Sequence, residues 1–455
     1  MKKITYLLFA LLLFTSCTAR KDADYVSLHP EWCYNSTIYE MNIRQFTPEG
    51  TFEAAGKQLD RLKDLGTDIL WLMPIYPIGE KGRKGDLGSY YSISDYKSVN
   101  PEFGTMEDFG KFLCAAHQKG FKVLLDMVSN HTSLDAEWWK QGHKNWYVLD
   151  SAGHQTHEYD WSDIASLNFN NREMRRAMID VYKFWLDKGV DGFRCDAAGE
   201  VPLDFWKEAV PEIKRYGKSI LMIAEAEGPQ FHKAGFDITY SWKLYHLMND
   251  MAAGKSNADL LRKYLKNEFK YYGCNDIKMN FTSNHDENSN LGPAPVRLGD
   301  AVEEMAALTY VLPGIPLVYN GQEVGSYKKL RFFYKDTIDW NSAGASRFTM
   351  FYRNFDNLKI NISALDCGLR GAPLVELDND DKGDVFSFSR KNKTSSVVCI
   401  FNLSSDTTKV VVDLGLLKGE YRDVNGIDSV ELGEKYGLLL HPWEYKVYYK
   451  GSSNR

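Results

Sequence analysis

The feature that most limits how this chain can fold is a repeated alternation of short apolar strands and amphipathic helices that stop at glycine. Thr37–Met41 reads as a strand, and Phe52–Leu65 as a helix whose Phe52, Ala55, Leu59, Leu62 and Leu65 fall near helical spacing before Gly66 ends it. Asp68–Leu72 is the next strand. A Gly-rich loop leads to a helix over Thr105–Lys119, closed by Gly120, and Lys122–Val128 is the third strand. The rhythm continues with helix Arg172–Lys188, strand Gly192–Asp196, a helix from Pro202, and strands at Ile220–Glu225, Phe236–Tyr240, Ile277–Thr282 and Leu317–Tyr319. Helices around Asn257–Phe269, Ala301–Leu312 and Ser346–Leu365 lie between or after them. Eight such units predict an α/β fold, a (β/α)8 TIM barrel. The competing doubly wound open sheet is disfavoured because no Gly-rich dinucleotide turn follows the first strand.

Two intervals break the pattern. His131–Phe169 is polar and aromatic with no helix-length period, too long for an idle loop, and reads as a lobe of about residues 131–169 inserted after strand 3, over one end of the barrel. From about Gly371 the chain turns to short alternating runs, such as Asp384–Ser389, Val397–Phe401, Lys409–Leu414 and Tyr445–Tyr449, with Asp, Asn and Gly turns between. That texture predicts a C-terminal antiparallel β-sandwich over 371–455, with the barrel occupying 18–370.

The N-terminus carries a different message. Met1-Lys2-Lys3 followed by the apolar run Ile4–Phe14 has the charged start and short greasy middle of a secretory signal, too short to span a bilayer. It ends in Phe14-Thr15-Ser16-Cys17, similar to a bacterial lipobox, so residues 1–17 are expected to direct export and Cys17 to carry a lipid anchor in the cell envelope; an ordinary signal cleaved nearby is the alternative. The other six cysteines are scattered without CxxC spacing, which argues against a metal knuckle; Cys195 and Cys399 lie in apolar strands and read as buried thiols. A net charge of -6 with no Lys/Arg block argues against nucleic acid and against any membrane contact beyond the anchor.

The chemistry gathers at strand ends. Gly192-Phe193-Arg194-Cys195-Asp196 places a guanidinium and a carboxylate on one side of a strand, since residues two apart share a face. A fixed cation favours the ionised form of a neighbouring acid, which suits a nucleophile; a structural Arg–Asp pair is the bland alternative. Strand Ile220–Glu225 ends in a second carboxylate, Met279–Asp286 ends in His285-Asp286, and the third strand runs into Asn130-His131. Four strands delivering acids and imidazoles at their C-terminal ends match where barrel active sites are built.

From about Ile38 to Trp340 the chain resembles the α-amylase family of retaining glycoside hydrolases, glycoside hydrolase family 13, and the sandwich fits that family's C-terminal domain. The resemblance rests on Asp126-Met127-Val128-Ser129-Asn130-His131, Gly192-Phe193-Arg194-Cys195-Asp196-Ala197, strand-end Glu225 and Asn284-His285-Asp286, with Gly88–Tyr96 and Gly314–Glu323 in support. It implies Asp196 as nucleophile, Glu225 as acid/base and Asp286 as the third acid, which binds hydroxyls and stabilises an oxocarbenium-like transition state. His131 and His285 would bind hydroxyls of the sugar being cleaved, Arg194 would keep Asp196 ionised, and Tyr91 would stack beneath the ring, with Tyr90 the fallback. Asp126 would orient Arg194 or Tyr91, and Trp138, Trp139, Trp146 and Trp161 are candidates for flanking subsites or for packing within the lobe.

Some family features are missing. Many α-amylases continue the nucleophile motif as Ala-x-Lys-His, whereas here it reads Ala198-Gly199-Glu200. Asn130 matches a calcium ligand and Asp163 could supply another oxygen, but calcium takes six to eight, so a structural Ca2+ stays open. No cofactor is required for the chemistry. Ala197 leans towards α-1,4 bonds, because relatives that cut α-1,6 branches tend to have Val there. The expected activity is hydrolysis of α-1,4-glucans or malto-oligosaccharides by a monomer. Transglycosylation at the same site is the runner-up. A non-catalytic glycan-binding protein is the reading from another class, opposed by the presence of all three acids.

Overall fold

The computed structural model describes residues 29–426 and 428–451; the expected signal and Cys17 lie outside them. Eight parallel strands close into a barrel. They are β1 (Ile38–Met41), β2 (Ile69–Leu72), β3 (Lys122–Val128), β4 (Gly192–Asp196), β5 (Leu221–Ala224), β6 (Ile238–Tyr240), β7 (Ile277–Phe281) and β8 (Ile315–Tyr319). Each pairs with its neighbour in chain order and β8 returns to β1.

The period-two geometry of a strand explains how one short sequence serves both a core and a site. Ile38, Ile69, Trp71, Leu124, Leu221, Ile223, Ile238, Ile277, Met279, Ile315 and Leu317 fill the barrel, while Tyr39, Met41, Leu70, Leu72, Val123, Leu125, Met127 and Phe193 pack outward under the helices. Two residues farther along the inward rows, the side chains become Asp126 after Leu124, Asp196 after Arg194 and Glu225 after Ile223. Gly192 is fixed by crowding: its φ is +154°, and a Cβ there would meet the Leu221 carbonyl oxygen at 2.0 Å.

The helices that the alternation predicts are all present, and among the longer ones three differ from the reading. The first predicted helix is two, Phe52–Gly56 and Leu59–Leu65, and the latter ends on left-handed Gly66. Between β6 and β7, Trp242–Ala252 precedes Ala258–Tyr271; the sequence reading found only the second. The last barrel helix, Ala345–Asn361, stops before a separate turn at Ser363–Leu365.

After β3 the inserted lobe is pinned by a short antiparallel pair, His131–Ser133 with Ile164–Ser166. The C-terminal region is antiparallel throughout: six strands in one sheet, with Thr408–Asp413 and Lys435–Leu440 pairing in a second. Val398, Ile400, Val410, Val412, Leu432 and Leu440 form its interior. Buried Arg390 ties this region to the barrel, donating to the carbonyls of Ala372, Val311 and Asp366. Among the described residues no helix is long and apolar enough to cross a membrane.

Candidate active site

The register of β3 and β4 pairs Asp126 with Arg194 and Val128 with Asp196, so Asp126 and Arg194 project side by side into the top of the barrel. Arg194 is fully buried. Its Nη1 lies 2.9 and 3.1 Å from the two oxygens of Asp126 and 2.8 Å from Asp196 Oδ1. Its Nη2 makes an ion-pair contact with Glu225 Oε1 at 2.8 Å, and its Nε donates to the Tyr240 hydroxyl at 3.0 Å. One planar guanidinium therefore gathers three carboxylates from three consecutive strands, a task its fixed fork of donors suits and a flexible ammonium would not.

The carboxylates differ in proton affinity. Burial pushes Asp196 up to about 6; Arg194 opposes this, while Asp126 and Asp286 add to it. Arg194 does favour the ionised Asp196, as expected of it, but loss of hydration outweighs the cation. Glu225 goes higher, to about 7, through burial and the charges of Asp196 and Asp286, against Arg194 and the Ala197 N–H. Asp196 ionises before Glu225, the order required of a nucleophile and an acid in one pocket.

Asp126 contacts both groups it was expected to orient: its oxygens accept from Arg194, and Oδ2 also accepts from Tyr91 Oη at 3.0 Å and from Trp71 Nε1 at 3.2 Å. Tyr91 stacks on His285 with ring centroids 5.3 Å apart and planes 20° apart. Tyr90, the fallback, faces away beneath the Arg44 guanidinium, 4.2 Å from its ring centroid. Asp286 opens the helix His285–Leu291, capped by Asn284. Its side chain is 42% exposed and lies 3.4 Å from His285 Nε2, at the mouth of the pocket.

The two histidines, alike in the sequence, differ in charge. Burial drives His131 down to about 4, its main polar partner being the backbone of Tyr91, so it is neutral. His285 is pushed up to about 9: Asp286 and Glu40 more than offset its burial. In the lobe, Trp138 packs on Tyr96 and Trp146, and Trp139 on Tyr147. Only Trp161 of the four borders the site, 5.6 Å from the His131 ring. Glu200, where a histidine was expected from the family, accepts from Tyr159 of the lobe at 2.8 Å.

The calcium candidates do not converge on a cation shell. Asp163 Oδ1 is 3.1 Å from the Lys84 ammonium, which also donates to the Asp160 carbonyl at 3.2 Å. The Asn130 amide nitrogen donates to Glu158 Oε2 at 3.1 Å, turning an N–H towards the nearest carboxylate. Lys84 thus supplies a positive charge beside Asp163. Among the described residues no group of three or more His, Cys, Asp or Glu is placed to hold a metal ion.

Sequence reasoning missed Glu40, Tyr240, Trp71 and Phe332. A carboxylate inside the apolar run Ile38–Met41 was the available signal for Glu40. Phe332, stacked 6.2 Å from Tyr91, comes from the loop after β8 and gave none.

Residues 22–349 match the model of the alpha amylase catalytic domain, and residues 377–440 that of the alpha amylase C-terminal all-beta domain. The chain belongs to the alpha-amylase family. A maltogenic alpha-amylase, AmyB of Thermotoga neapolitana, superposes with a TM-score of 0.82 at 30% identity, covering 92% of this chain and 99% of that one. An alpha-amylase of Lactobacillus plantarum gives 0.82 at 30% identity, covering 91% and 99%. Alpha-amylase MalA of Haloarcula japonica is 29% identical over 89% of this chain, which spans 62% of that relative's length.

Proposed function

We propose that this alpha-amylase family member hydrolyses α-1,4-glucosidic bonds of starch-derived glucans or malto-oligosaccharides with retention at the anomeric carbon. The observation that carries the reading is the sharing of the Arg194 guanidinium by Asp196 and Glu225. Retaining pairs lie roughly 5–5.5 Å apart, whereas inverting pairs leave room for a water between them. Asp196 attacks the anomeric carbon while Glu225 gives its proton to the departing glycosidic oxygen. A water then displaces Asp196 from the sugar, with Glu225 taking the water's proton. Asp286 lies at the mouth to bind hydroxyls and to offset positive charge on the ring. His131 binds a hydroxyl of the same sugar, while His285, whose ring nitrogens face Glu40 and Tyr91, supports Tyr91 as the floor beneath it. The reaction needs no cofactor. Ala197 after the nucleophile and the maltogenic relative support the α-1,4 preference.

The test is a product time course on amylose, pullulan and maltoheptaose, with the new anomeric centre followed by proton NMR. Expected are α-configured products shorter than the substrate from amylose and maltoheptaose. Products longer than maltoheptaose would replace hydrolysis with transfer, and β-configured products would remove Asp196 as nucleophile.

Export and anchoring belong to the proposal through the N-terminal sequence alone. Cys17 is taken as the lipidated first residue of a monomeric envelope enzyme. Radiolabelled palmitate incorporated by the wild type and not by Cys17→Ala supports this; equal labelling refutes it.

A further inference from the structure

Glu40 has no part in the chemistry so far described, yet it is a completely buried carboxylate one residue from the C-terminal end of β1. Its Oε1 lies 2.5 Å from His285 Nδ1, and its Oε2 meets no donor among the described residues. On the far side of the imidazole, Nε2 is 2.7 Å from the Tyr91 hydroxyl oxygen. Tyr91 has one hydroxyl proton, and that proton goes to Asp126 Oδ2 at 3.0 Å. With that proton on Asp126, the Tyr91 oxygen accepts from His285 Nε2–H, and Nδ1 faces the Glu40 carboxylate, whose side chain has no other hydrogen-bond partner among the described residues.

We propose that Glu40 is a positioning residue that keeps His285 doubly protonated, so that one ring N–H is held by Glu40 and the other fixes Tyr91 over the nucleophile. The continuous path is Glu40, His285, Tyr91, Asp126, Arg194, Asp196, and it crosses the barrel mouth from β1 to β4. While Tyr91 donates to Asp126, a neutral imidazole has one N–H for two acceptors, Glu40 and the Tyr91 oxygen. The groups facing His285 agree on the charge. Glu40 comes from β1 and Asp286 from its own helix, while Arg194, which opposes protonation, is itself neutralised by Asp126, Asp196 and Glu225. The Trp71 ring from β2 meets the imidazole edge-on at 6.1 Å and adds no charge. Burial alone would have discharged this histidine, as it does His131.

The inference deepens the proposed function but is tested separately from it. In protein labelled with ¹⁵N-histidine, the His285 ring signals, assigned by their loss in His285→Gln, are expected to show two protonated nitrogens through pH 7.5. In Glu40→Gln, which keeps the shape and one hydrogen bond, the ring is expected neutral at that pH. The variant's kcat/KM on a malto-oligosaccharide should fall by about 10–100-fold, the cost of a misplaced sugar platform. A neutral His285 in the wild type at pH 7 overturns the proposal even if hydrolysis is intact, and that readout does not depend on Glu40→Gln folding. An imidazolium that persists in Glu40→Gln overturns it too, whereas a different substrate would change the kinetics and leave the titration untouched.

Discussion

Ala197 donates its backbone N–H to Glu225 Oε2 at 2.7 Å from a left-handed conformation, with φ +43°. The chain leaves β4 straight after Asp196 and must turn sharply for that N–H to face β5. An L-residue held there costs roughly 1–2 kcal/mol, which the packed barrel sustains. Ala197→Gly should remove most of that strain while keeping the N–H, set against roughly 0.5–1 kcal/mol of added chain entropy in the unfolded state. The expected stability change is within about 1 kcal/mol by denaturant titration. A loss above 2 kcal/mol would mean that the Ala197 methyl carries packing and not strain.

The activity profile should be a narrow bell. Activity needs Asp196 ionised and Glu225 protonated, and the pair titrates near about 6 and about 7. The initial rate of kcat/KM is expected to rise through pH 6 and fall through pH 7. A plateau extending to pH 9 would show that Glu225 is not the proton donor.

Asp196→Asn should lower kcat by at least about 10³-fold while leaving malto-oligosaccharide affinity within a few-fold, because the amide keeps the shape but cannot attack. Isothermal titration calorimetry beside a rate assay separates the two effects. Retained turnover would move the nucleophile elsewhere.

Glu225 also makes stability depend on pH. Its affinity for a proton is raised on folding, from an ordinary value of 4.5 to about 7. Its contribution is therefore complete below about 4.5 and is lost as pH rises through 7. Glu225→Gln, which carries no charge at any pH, should be more stable than the wild type at pH 8, by on the order of 1–3 kcal/mol, and lose that advantage at pH 4.5. Equal melting temperatures at pH 8 would contradict the buried setting of this acid.

Lys84 is expected to stand where a metal would otherwise be needed. Lys84→Met leaves Asp163, nearly buried at 4% side-chain exposure, without its cation. It should cost about 1–3 kcal/mol, less than a fully buried pair because Lys84 is partly exposed. Chelation of the wild type should leave its melting temperature unchanged. A drop on adding EDTA, restored by calcium, would show that a metal binds after all.

The barrel was readable because its two periodicities are local: apolar positions every second residue in strands and at three- and four-residue intervals in helices. Asp196 and Glu225 were legible because they stand at or just past the end of a strand whose direction the alternation sets, and Asp286 because it follows one on the next helix. Glu40 was not, since a carboxylate in a four-residue strand reveals its partner only once β1 and β7 are brought to the same mouth. The break at Lys57–Gln58 and the helix Trp242–Ala252 were missed because the apolar spacing runs on through the first and is diluted by aromatics in the second.

The sequence by itself determined the barrel, the appended antiparallel region and the residue types at the strand ends, all consequences of short-range patterning. Only the tertiary structure decided which acid keeps its proton, which histidine is charged, and that an ammonium faces Asp163. Those outcomes depend on hydration lost and charges gathered across the fold, from Glu40 on β1 to Glu225 beyond β5, and no local pattern records either quantity.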